Sequence, residues 1–363
     1  MLHIDRKKRT CEENNMLLMF AILSGILAGA IHAKMTGRQV YAVLDQYLLT
    51  YLLPMLFVLV GEQFDTSVVA GNLRVITILS FSMIISLGLA VMIAKYVLDL
   101  RTPEMRHGFI VLAVCANTGH GLMLLASGTP DPDVMKLAGG AFYQGFLVVV
   151  ILPQLITAQR DKLGQSLKTI TSMILFHPVS YACVLGFGLA IWAPLSVAYA
   201  TMLGLRIFVS KKWNKGWVLT DPYPLFAISL TAVAFHFARG EVNPTQWYSL
   251  AVTFITAITI GSKMVSQKMQ EGHWRIVFAI MVFGIVLAPF GVALPLAWAS
   301  GCTYSEAYVL AYMVSQPPAY LGMVWLRQGK FGELPVGEWA FSLQAVAAYI
   351  LAICFPDLLR VLF

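Results

Sequence analysis

The chain has 363 residues, 58% hydrophobic and 12% charged, with a formal net charge of +7. Its mean hydropathy is +0.74, and a soluble domain carries about twice as many charged residues, so the fold expected is all-α and polytopic in a membrane. Apolar runs long enough for a helix to cross hydrocarbon recur throughout. The weaker alternating strands of a membrane barrel do not, which excludes that class.

The first apolar run, from Met16, lacks a small-residue cleavage site and reads as a first span behind a tail over 1–15. Charged and turn-forming loops then cut the sequence into about twelve spans, near 16–33, 42–61, 74–94, 108–127, 137–157, 169–191, 194–209, 223–239, 246–262, 275–298, 306–326 and 338–359. The sixth and seventh share one apolar run, Leu175 to Ile207, split by Trp192-Ala193-Pro194. Taking it as two crossings keeps Lys211, Lys212 and Lys215 on the same side as the other basic loops.

On that count 17 Lys and Arg fall on one side and 8 on the other, including the Arg6-Lys7-Lys8-Arg9 cluster. The larger share marks the cytoplasm, so both termini are expected outside it, in a plasma (inner) membrane protein. The basic excess therefore speaks for orientation in a lipid bilayer and not for a nucleic-acid partner. The five cysteines (Cys11, Cys115, Cys183, Cys302, Cys354) are scattered without CxxC spacing, so neither a disulfide scaffold nor a metal site is expected.

Two spans carry unusual centres. Phe109 to Ala126 contains Asn117-Thr118-Gly119-His120-Gly121, and Tyr308 to Trp325 contains Ser315-Gln316-Pro317-Pro318. Irregular backbone at membrane depth persists only where protein or a watery cavity satisfies its polar groups, and tandem prolines remove donors. The two segments align at an offset of 199, and flanking pairs (Gly61 with Gly261, Arg74 with Arg275, Leu152-Pro153 with Phe355-Pro356) fall at offsets of 200 to 203. Five spans, then two, then five make the second copy enter from the opposite face, an inverted-topology duplication of the kind from which alternating access follows. The expected divisions are a first five-helix repeat over 16–157, a two-helix linker over 158–222 and a second repeat over 223–360.

Candidate substrate- and ion-binding residues follow from the breaks. An unwound centre exposes carbonyls for a cation and N–H groups for an anion. Asn117, Thr118, Gly119 and His120 belong to one break, and Ser315, Gln316, Pro317 and Pro318 to the other. Tyr143, Gln144 and Gln344 lie on the spans that follow, where lining the site and simple packing are both open, and Gly139, Gly140, Ala141 and Gly145 offer a small-residue face. Asp45, Glu62, His236 and Arg206 sit near span ends, where interfacial roles are expected. The fifth span lacks an aspartate and the twelfth has only Asp357 near its end, which argues against proton exchange through a buried carboxylate pair.

The ANTGHGLMLLASG segment (Ala116 to Gly128), the ILFHPVSYACVLGFGLAIWAP stretch (Ile174 to Pro194) and the SQPPA break resemble the auxin efflux carriers and the bile acid:sodium symporters. The resemblance runs loosely over most of the chain beyond Val60. It implies inverted five-helix repeats with crossing broken helices, and a carrier for a small organic anion coupled to Na+ or H+, with Asn117 and Gln316 at the site. Those families have ten spans against twelve here. Twelve with crossing fourth and eleventh spans also resembles the sodium–proton antiporters, whose paired aspartates are missing.

The function expected is secondary active transport, with no catalytic residues and no cofactor beyond a coupling ion; a homodimer is compatible with it. The alternatives are a membrane sensor or assembly subunit that binds a ligand without flux, and an intramembrane enzyme using His120, His177 or His236. The last lacks an HExxH or GxSG motif.

Overall fold

The structure, a computed structural model, describes residues 2–37, 41–62, 69–117, 132–157, 181–182, 185–186, 188, 197, 201, 227–230, 233, 245–266, 269–319, 322–323 and 336–362. Nine helices are delimited among them. These are α1 (Leu2–Thr36), α2 (41–62, with a π-helical insert at Leu48–Leu52), α3 (69–97, ending in a π-helical turn at Ile93–Val97), α4 (Pro103–Val114) and α5 (Pro132–Thr157). They continue with α6 (Thr245–Ser266), α7 (271–299), α8 (Tyr304–Val314) and α9 (Val336–Leu362). The described residues contain no strand. The protein is all-α.

Met19–Thr36, Leu73–Val97 and Gly272–Ala299 are long and apolar enough to cross a membrane. Large apolar side chains on their outer faces (Phe20, Leu27, Phe81, Ile84, Phe278) are exposed. Such surface suits lipid contact and would be a liability in water. The expected spans meet these helices closely, with one extension: the segment 1–15, expected as a tail, is a continuous part of α1 from Leu2. The two-span reading of Leu175 to Ile207 falls mostly outside the described residues.

Local sequence explains the helix boundaries. Thr102 caps α4, its side chain accepting from the Met105 N–H at 3.3 Å, with Pro103 at the first helical position. Thr303 and Glu306 form a reciprocal capping box at α8. In α7, Pro289 lacks an N–H and would crowd the preceding turn; the chain answers with a π-helical stretch over Phe283–Ala293.

The helices pack as two groups. In one, α6 lies along α1 and also meets α2; in the other, α3, α4, α5, α7, α8 and α9 pack on one another. The two groups meet through α6 and α9. The first group depends on glycines. A Cβ at Gly29 would land on the Ile258 carbonyl, one at Gly261 on the Ile26 carbonyl, and one at Gly25 would come 2.7 Å from Ala257. Small residues four apart let membrane helices approach backbone to backbone. Gly29→Leu and Gly261→Val are expected to cost at least about 2 kcal/mol each through overpacking, visible as a lowered melting temperature in detergent as α1 is forced away from α6.

Candidate functional site

The two interrupted segments meet. Helix α4 ends at Val114 and α8 at Val314, and the non-helical residues just beyond each end meet those of the other. Ala116 and Pro318 form an isolated antiparallel bridge. The Asn117 N–H donates to the Pro317 carbonyl at 2.7 Å, and the Ala319 N–H donates to the Cys115 carbonyl at 2.6 Å. This is the non-hydrogen-bonded pairing of an antiparallel ladder, in which the facing residues contribute no bond and their neighbours contribute both. Pro318 therefore sits at a position that asks for no donor, and Pro317 is needed only for its oxygen. Tandem proline suits this bridge for a physical reason.

Helix α9 supports the second break from the side. Gln344 is buried, and its Nε2 donates to the Ser315 carbonyl at 3.2 Å and to the Gln316 carbonyl at 2.9 Å. Both partners are acceptors, so the amide orientation is fixed by chemistry. Its Oε1 is buried with no hydrogen-bond partner among the described residues. Gly284 on α7 makes room for this amide, since a Cβ there would strike Gln344 Nε2. Within the break, the Ser315 hydroxyl and the Gln316 Nε2 both donate to the Tyr312 carbonyl at 2.8 Å.

Gln144 on α5 is also buried, but its Nε2 donates to Ser80 Oγ at 3.2 Å and approaches Met83 Sδ at 3.4 Å, both on α3. Its Oε1, too, has no hydrogen-bond partner among the described residues. Helix α5 packs on α8, and Gly140, Ala141 and Gly145 on it are buried. Asn117 is half-buried at the bridge. Thr118, Gly119, His120 and the side chain of Tyr143 lie outside the described residues. The structure thus brings together Asn117, Ser315, Gln316, Pro317, Pro318 and Gln344, while the described bonds of Gln144 run to α3.

Electrostatically, α4 and α8 both present their C-terminal ends to the crossing. Each end carries roughly half a negative charge in the helix-dipole picture. With amide oxygens and carbonyls nearby, the described side of the crossing favours a cation. Among the described residues no group of three or more His, Cys, Asp or Glu is placed to hold a metal.

Two ion pairs were not anticipated from sequence. Arg74, at the start of α3, lies 3.6 Å from Glu306 and donates to the Ser300 and Gly301 carbonyls, tying the α7–α8 turn to α3. Beside it, burial and the Glu306 carboxylate push the Cys302 thiol above its usual range, against the pull of Arg74. Lys263 on α6 and Glu338 on α9 pair at 3.9 Å with almost no exposure. Both lie near helix ends, where sequence assigns charges to loops. The Thr-x-x-Glu pattern at 303–306 was the one readable signal.

No protein-family model matches the chain, and no curated protein does. Among solved structures, it is similar to the sodium proton antiporter MjNhaP1 from Methanocaldococcus jannaschii at pH 8, with a TM-score of 0.44 and 14% identity over 96% of this chain and 99% of that one. At that score the likeness assigns no family, and it does not support the bile acid:sodium symporters or auxin efflux carriers specifically.

Gln344→Met is expected to leave two buried carbonyls short of a donor and to cost about 2 kcal/mol. The check is thermal unfolding of the purified protein. Gly284→Ala, which displaces the same amide without removing it, should lower stability in the same assay.

Proposed function

We propose that the protein is a secondary active transporter working by alternating access at the crossing of its two broken helices. The observation that supports this most is the antiparallel bridge between Cys115–Asn117 and Pro317–Ala319. Broken backbone at membrane depth is costly unless it serves a cavity or a ligand. An antiparallel crossing of two breaks about 200 residues apart is what oppositely inserted repeats produce.

Asn117 and Gln316 supply polar contacts to the cargo, and Gln344 holds the second break in shape. The cargo class carried from the sequence is a small organic anion. Converging negative helix ends favour a coupling cation at the crossing, so symport with Na+ is the arrangement that reconciles the two.

In proteoliposomes, wild-type protein should exchange radiolabelled sodium and show counterflow with one or more small carboxylates. Asn117→Ala and Gln316→Ala should abolish both without reducing folded yield. Wild-type rates in both variants would take these side chains out of the site. Replacing choline by sodium should also raise the melting temperature, because a cation held by the native state stabilises it. An unchanged melting temperature across the sodium range would remove sodium from the crossing.

A further inference from the structure

Helix α6 carries two seams of opposite character. Toward α1 it packs at backbone distance, and a Cβ at Gly261 would land on the Ile26 carbonyl. Toward α9 it is charged. Lys263, in the last turn of α6, lies 3.9 Å from Glu338 in the first turn of α9, with 2% and 3% of the two side chains exposed. One helical turn further along α9, the Ser342 hydroxyl approaches Met264 Sδ at 3.2 Å. Trp339, next to Glu338, meets Trp274 near the start of α7 edge-on, with ring centroids 5.1 Å apart. These contacts close the seam between the two helix groups at the face where α6 ends and α7 and α9 begin.

The two seams differ in what separation costs. The glycine seam is held by van der Waals contact between backbones, which is lost as soon as the helices part. The charged seam is a poorer glue, since burying two charges costs much of what their attraction returns, and an apolar pair of similar volume would hold as well or better. Its advantage is reversibility. A cation in the last turn of a helix and an anion in the first turn each interact favourably with their own helix dipole. Neither Lys263 nor Glu338 is therefore stranded when the pair separates and water enters. Removing one partner alone is different, because it leaves the other charge buried and uncompensated.

We propose that Lys263 and Glu338 form a gate: paired, they close the way to the crossing from this face, and parted and hydrated, they open it. The conformation seen is then the one closed on this face. The gate deepens the alternating-access reading above and rests on it. The two side chains are positioning residues that touch no cargo; they act by setting how much of the protein is closed on this face.

Ser342→Cys, in the full chain with its native cysteines replaced and reconstituted in liposomes, reports on the seam. The readout is its rate of labelling by an impermeant thiol reagent applied from this face. Glu338→Gln should raise that rate by about tenfold or more, and the apolar pair Lys263→Met with Glu338→Leu should lower it by at least about threefold. The apolar pair should also raise the melting temperature in detergent while abolishing flux of sodium and small carboxylates, with the sodium dependence of the melting temperature kept. A pair that serves packing alone predicts wild-type flux in the apolar variant. Wild-type flux there overturns the gate, as does a labelling rate that Glu338→Gln does not raise or the apolar pair does not lower. Should Glu338→Gln fail to fold, the apolar variant decides alone. Both labelling shifts in a parent protein that moves neither sodium nor carboxylate would keep the gate and remove the transport reading. Flux in the parent without the labelling shifts would do the reverse.

Discussion

Two backbone hydrogen bonds hold the centre of this molecule. Beyond the ends of α4 and α8 the backbone polar groups lose their helical partners, and an unpaired buried backbone group is expensive. The Asn117 N–H to Pro317 bond and the Ala319 N–H to Cys115 bond satisfy each break with the other. The pairing converts two local defects into one shared feature, and it fixes the relative position of the helices that carry them.

The surroundings follow from that constraint. Gln344 reaches from α9 to two carbonyls of the second break, and Gly284 on α7 is a glycine because that amide occupies the space a side chain would need. Arg74 ties α3 to the turn that launches α8, so the broken helix is anchored at its start as well as at its break. Against this group, α1 and α6 pack backbone to backbone through Gly25, Gly29 and Gly261. A glycine-lined seam makes that pair a single stiff body. The two groups meet through α6 and α9.

Much of this was legible in the chain. Pro317-Pro318 and the Asn117–Gly121 stretch each announce a helix that cannot continue, and their matched spacing pointed to a crossing. The apolar runs located the three helices long and apolar enough to cross a membrane, because the length of a membrane helix is set by the bilayer. What escaped was tertiary in origin. Lys263 and Glu338 each look like a charge at a span end, and only packing makes them a buried pair. Gln344 was visible as a polar residue on a late span, but its anchoring role depends on a break about thirty residues earlier in sequence. The continuation of α1 back to Leu2 was hidden because charged residues such as Arg6 and Lys7 mark a helix leaving the membrane and a tail alike.

The central claim is that the crossing faces water from each side in turn. Asn117→Cys tests it, because Asn117 joins the bridge through its backbone N–H and a new side chain leaves that bond in place. In a protein with its five native cysteines replaced, reconstituted in liposomes, a membrane-impermeant thiol reagent would be added from outside only or inside only. The account predicts labelling from both sides. Labelling from one side alone under every ionic condition, or from neither, would contradict it.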